Sequence, residues 1–231
     1  MNRTLNVVRM QLVNRQTYLW VPLIVLGGSL VISLSIYGIL AGAGLEGPFY
    51  GAGVQAPLWY FAVIGAQALT LTFPFSQAMS VTRREFFFGT LLTSGLAAAL
   101  LGVVVVLGGL LEQATNGWGL QGYFFYIPFL WDSGPAAVVL FFFAIAMLSF
   151  VVGFWGATIY KRAGTAVLTI VILAITFLLV GLVWLITRVG GWMQVGAWFA
   201  QQGTVGVTLW GLVLIAALAG TSYLTLRRAV P

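Results

Sequence analysis

Six stretches of this sequence contain no charged side chain: Tyr18 to Ala41, Pro57 to Met79, Phe86 to Leu111, Gly134 to Tyr160, Gly164 to Thr187 and Thr204 to Leu226. Each is close to or above the roughly 20 residues that a helix needs to cross a hydrocarbon core. Lipid offers the backbone no water, so a spanning segment must be a helix or part of a closed barrel, and barrel strands would alternate in pieces of about ten residues. The unbroken runs select helices. With 61% of residues hydrophobic and 6% charged, against about a quarter charged in soluble domains, a water-soluble fold is excluded. Residues 1–231 are read as a single all-α membrane domain.

The few charges sort by side. Arg3, Arg9 and Arg15 precede the first stretch, Arg83 and Arg84 lie between the second and third, Lys161 and Arg162 between the fourth and fifth, and Arg227 and Arg228 follow the sixth. The remaining loops hold Arg188 with Glu46, Glu112 and Asp132. Short loops rich in Lys and Arg stay cytoplasmic. An even helix count therefore places nine of the ten basic residues inside, and the expectation is six transmembrane helices with both termini in the cytoplasm. The net charge of +6 is in this reading a topology signal. A nucleic-acid partner would call for one clustered basic face, so none is expected.

Residues 2–16 mix polar and apolar side chains, with Leu5, Val8 and Leu12 on one helical face and Arg9 and Arg15 beside them. This reads as an amphipathic helix in the membrane interface, the alternative being a basic tail that serves topology alone. The first apolar stretch exceeds the 7 to 15 residues of a signal h-region, so it is expected to remain in the mature protein. Two long external segments, Glu112 to Ser133 and Arg188 to Gly203, are rich in aromatic residues, including Trp118, Phe124, Phe125 and Trp131 in the first and Trp192 and Trp198 in the second. They read either as an aromatic belt at the headgroups or as short helices that fold back over the outer end of a path.

Cysteine and histidine are absent, which removes disulfides, thiolate and imidazole metal sites and Cys or His catalysis together. All four carboxylates fall in loops or at helix ends, so the intramembrane relay of a proton-driven carrier is missing. The only lysine, Lys161, sits between Tyr160 and Arg162, and no G-x-x-x-x-G-K-[ST] phosphate loop exists. The chain is not expected to be an enzyme by itself, and active transport would draw its energy from another subunit. Polar groups inside the spans are mild. Gln67, Thr70, Thr93 and Thr169 are the candidates for a translocation path, against the plainer role of bonding to their own or a neighbouring helix. Gly38 and Gly42 form a small-xxx-small packing pair in the first helix.

The turn from Ser80 to Thr90 carries the most information. Thr82 and Glu85 have the spacing of a capping box, which predicts that the third helix begins there. The turn resembles that of membrane subunits of the second type of bacterial ABC exporter, in which a small residue, Ser or Thr, one or two basic residues and an aromatic pair join the second and third helices. Here these are Ser80, Thr82, Arg83, Arg84, Phe86 and Phe87, with Gly89 where a small residue is usual. The basic N-terminal segment, the six spans and the cytoplasmic ends extend the resemblance over nearly the whole chain.

The resemblance implies a permease of the bacterial cytoplasmic membrane that lacks its own ATPase and exports an amphiphile such as a drug, lipid or peptide. It implies a cytoplasmic ATP-binding subunit, which would carry ATP and Mg, and a second permease copy or sister permease. It also implies that Ser80, Thr82, Arg83, Arg84, Glu85 and Phe86 couple to that ATPase, aided by the helix around Arg3, Arg9 and Arg15. Two other classes stay open: a ligand-binding membrane subunit of a vitamin-uptake complex, and a membrane assembly protein without transport.

Overall fold

The computed structural model describes residues 3–51 and 53–226. Arg227 and Arg228, which belong to the charge argument, lie outside them. The helices are α1 (Arg3–Val13), α2 (Val21–Gly42), α3 (Ala56–Gln67), α4 (Phe73–Ala78), α5 (Arg83–Ala114), α6 (Pro128–Trp131), α7 (Pro135–Val189) and α8 (Trp192–Leu226). Two short segments, β1 (Phe49–Tyr50) and β2 (Gly122–Tyr123), pair in parallel. A π-turn, Gln16–Trp20, leads into α2, and another, Ala68–Thr72, joins α3 to α4.

Among the described residues, five helical segments are long and apolar enough to cross a bilayer: Gln16–Gly42, Gly53–Ala78, Arg83–Ala114, Pro135–Val189 and Trp192–Leu226. The fourth and fifth sequence stretches run on as α7, whose 55 residues would measure about 80 Å if straight, far more than the ~30 Å hydrocarbon core. The helix is broken at Gly164, with φ 81° and ψ 177°, a backbone state open essentially to glycine alone. A methyl group on Gly156 would lie 3.9 Å from Leu168 Cδ1, whereas residues twelve apart on a straight helix are about 18 Å apart. The chain therefore doubles back at Gly164. A second break of the same kind, at Gly203 (φ 59°, ψ −173°), divides α8. The segment from Arg188 to Gly203, for which short helices were one of the two readings, is helical from Trp192 onward.

Glycine sets the tightest contacts. Gly65 of α3 faces the Phe150 backbone of α7, and Gly153 of α7 faces the Ala62 backbone of α3. Two helices meet there with no side chain between them. Lipid tails are as apolar as leucine, so helix association rests on such close approach more than on hydrophobic burial. Gly102 of α5 likewise admits the Val139 carbonyl of α7. Around these crossings Phe61, Ile64, Phe86, Val105 and Phe150 are fully buried. Gly38 and Gly42 have nothing within 4 Å of an added methyl, so the small-residue pair expected to pack the first helix packs against nothing in this chain.

The N-terminal helix exists, and its buried face overlaps the expected stripe only in part. Val7, Val8 and Gln11 are buried and Leu12 is only half-buried. Gly89 on α5 leaves room for Val7, and Thr90 accepts a hydrogen bond from Gln11 Nε2 at 2.7 Å. Val8 belongs to the stripe that hydropathy picks out, and these two features of α5 bring Val7 and Gln11 into the buried face beside it. By contrast, no residue from Arg162 to Ala200 is buried. The apolar helix 165–189 is bare on nearly every side.

Candidate functional site

The turn between α4 and α5 is capped from both sides. At the end of α4, Ser80 takes the left-handed conformation (φ 57°), Val81 N donates to Ser76 O at 3.1 Å and Ser80 N to Gln77 O at 3.0 Å. This is a Schellman closure, with serine where glycine is usual. Gln77 Nε2 adds a bond to Val81 O at 2.9 Å. At the start of α5, Glu85 N donates to Thr82 Oγ1 at 3.3 Å and Thr82 N to Glu85 Oε2 at 3.0 Å. The capping box read from the sequence is formed, and α5 begins at Arg83.

The side chains of this turn divide into root and surface. Phe86 is fully buried, edge-on to Phe73 with centroids 5.2 Å apart. Phe87 is buried against Tyr223 of α8 at 5.1 Å and Phe154 of α7 at 5.9 Å. Arg83 is half-buried and donates from Nη1 to the Leu226 carbonyl at the end of α8, 3.2 Å away. Both rings are used by this chain's own core, which roots the turn in the bundle. Ser80, Thr82 and Arg84 are the exposed members, with Arg84 stacked over Phe88 at 5.9 Å.

The four path candidates do not share one lining. Gln67 borders a cavity of mixed polar and apolar lining beside α1 and the first π-turn. Thr70 borders a separate apolar cavity of ≈ 490 Å³ between α3 and the two limbs of α7, its hydroxyl bonded to Ala66 O. Thr93 is fully buried and bonded to Gly89 O. Thr169 is exposed and bonded to Thr165 O. Arg9 and Arg15 are exposed, and Arg3 lies at the first turn of α1.

At the opposite end of the bundle stands a group that the sequence reading placed in a loop. Glu112 lies in α5, is fully buried and accepts four hydrogen bonds: from Trp118 Nε1 at 2.9 Å, Phe124 N at 2.8 Å, Phe125 N at 2.7 Å and Tyr126 N at 2.8 Å. These bonds hold a segment in which Asn116, Trp118 and Gln121 all have positive φ, a costly state for residues with a Cβ. The pinned segment supplies β2, and Tyr37 of α2 donates to Tyr123 O at 3.3 Å. Phe124 and Phe125 are buried beneath it, so these rings form a packed cap and are not part of a headgroup belt. A carboxylate just ahead of the Gly117 and Gly119 turn was the available signal. Gln11 had none.

Comparison with known proteins finds no matching family model and no significant match among curated proteins or solved structures. What the fold itself defines is a class: an α-helical, multi-pass membrane protein.

Proposed function

We propose that this chain is the permease subunit of an ATP-driven exporter, with six spans and both termini in the cytoplasm of a bacterium, energised by a separate ATP-binding subunit. The doubly capped turn at Ser80 to Phe86 carries this reading. A lever must be stiff, rooted and exposed at its tip. Here the stiffness comes from back-to-back caps, the root from Phe86, Phe87 and the Arg83 bond to α8, and the tip from Ser80, Thr82 and Arg84. A push on the tip would reach α5 and α8 together. ATP and Mg would bind the partner, and the bare helix 165–189 offers the surface for a second permease copy or sister permease. An amphiphile is the substrate class that the resemblance favours.

The coupling is tested with Arg84→Ala. An exposed arginine contributes little to the fold, so stability should change by less than about 0.5 kcal/mol. As an interface anchor its loss should lower substrate-stimulated ATP hydrolysis by the copurified complex roughly tenfold, the scale of an interface hot spot. Unchanged hydrolysis would reduce the turn to a topological anchor. The chain purified without its partner should hydrolyse no ATP.

The topology is tested with single cysteines. Positions Gln121, Gln201, Ser80 and Ala163 are all exposed, and the first two should react with an impermeant thiol reagent from outside whereas the last two should not. The reverse pattern would overturn the orientation.

A further inference from the structure

We infer that the cavity between α1, the start of α2 and the α3 to α4 junction binds the hydroxyl-bearing headgroup of an amphiphile. The first observation is an unpaired atom. Gln11 is 3% exposed, its Nε2 is engaged by Thr90, and its Oε1 is buried with no partner. A buried polar group left unpaired is costly, and such a group points to something that normally completes it. Gln11 lines a cavity of ≈ 310 Å³, whereas a water molecule occupies about 30 Å³. The space beside Gln11 is an order of magnitude larger than one water, so a ligand group of several atoms fits there, and a small turn of the Gln11 amide would bring its oxygen to it.

The lining states the chemistry. Its polar members are Gln11, Asn14, Thr17, Tyr18, Gln67 and Thr72. All are neutral, and all are amides or hydroxyls that both donate and accept. Exchanging the Gln11 amide oxygen and nitrogen would leave an orphan donor in place of an orphan acceptor, and a hydroxyl satisfies either. A carboxylate or phosphate buried among these groups would lack a countercharge, so the enclosed part of the ligand is a neutral polyol such as a sugar or glycerol. Leu71 and Phe75 also line the cavity and are 68% and 58% exposed. They continue the site onto the lipid-facing surface, where an acyl chain would lie.

The backbone is shaped for this opening. Both π-turns border it: Val21 N bonds to Gln16 O in one and Phe73 N to Ala68 O in the other. Each such turn inserts a residue into a helix and is frequently found at functional sites. Here two independent insertions face one cavity. The inference does not depend on the ATP-driven reading, which would survive its failure.

The test uses the full-length chain in mild detergent and compares a glucosyl diacylglycerol with a phosphatidylcholine of the same acyl chains, the latter lacking a headgroup hydroxyl. Native mass spectrometry should show the glycolipid bound about tenfold more tightly. Gln11→Leu, which replaces the orphan with a side chain of similar size, should erase that preference, while a paired Thr90→Val, Gln11→Leu variant keeps the site folded without stranding the Thr90 hydroxyl. Gln67→Leu should weaken it as well. Equal binding of the two lipids by the parent chain, or a preference that persists in Gln11→Leu, would overturn the proposal and leave the cavity to water. A hydroxylated lipid that survives purification and matches the bulk membrane lipid would identify the bilayer as its source. A retained species that is rare in the membrane would identify it as cargo.

Discussion

Glu112→Ala should destabilise the protein by about 4 kcal/mol, more than any other single truncation considered for this chain. The change strands the buried backbone N–H groups of Phe124 and Phe125, the part-buried one of Tyr126 and the Trp118 indole. Each unpaired group costs about 1–3 kcal/mol, and the sum falls short of additive because the segment can relax toward water. Glu112→Gln should lose nearly as much, since one of its two positions then presents an NH₂ to backbone donors. Thermal unfolding in detergent measures the loss. Local opening has its own signature: a cysteine at Phe125, buried in the parent, should become reactive in Glu112→Ala. A Tm within a degree of the parent would show that the cap is held by its aromatic packing alone.

Gly153→Val should cost about 3 kcal/mol or more by a different route. The added carbons meet the Ala62 backbone, which has no rotamer through which to yield, so α3 and α7 must separate along the crossing that Gly65 shares. Overpacking ordinarily costs about 1–3 kcal/mol, and a backbone clash belongs at the upper end or beyond. Gly38→Val is the control. Nothing lies within 4 Å of that position, so its stability should stay within about 0.5 kcal/mol of the parent. If both variants were equally mild, the α3 to α7 contact would not be an energetic centre of the fold.

Helix start and stop signals were legible where the chemistry is local. Thr82 and Glu85 form their capping box from atoms three residues apart, so its spacing is sufficient to read it. The turn that precedes it was half legible: Ser80 is not the residue expected in a left-handed closure, and its role emerges only once α4 is seen to end there. For Phe86 and Phe87, an aromatic pair after a basic turn says nothing about direction. Both point inward because Phe73, Phe154 and Tyr223 arrive from three other helices.

Glycines show the same division. Gly38 and Gly42 match a packing motif and pack against nothing in this chain, whereas Gly65 and Gly153, far apart in sequence, let the backbones of α3 and α7 approach with no side chain between them. Spacing along one helix reveals that a groove exists. Only a second helix shows whether it is filled.

The sequence by itself determined that the chain is helical and built for lipid, where its charges fall, and where α5 begins, because long apolar runs and local caps act over a few residues of one segment. Tertiary structure alone decided that Glu112 is a buried hub, that Gln11 carries an unpaired oxygen, and that Gly65 and Gly153 bring two backbones together. Each of these depends on atoms contributed by segments distant in sequence, and a polar group's cost or worth in a low-dielectric interior is set by which of those atoms stand within about 3 Å of it.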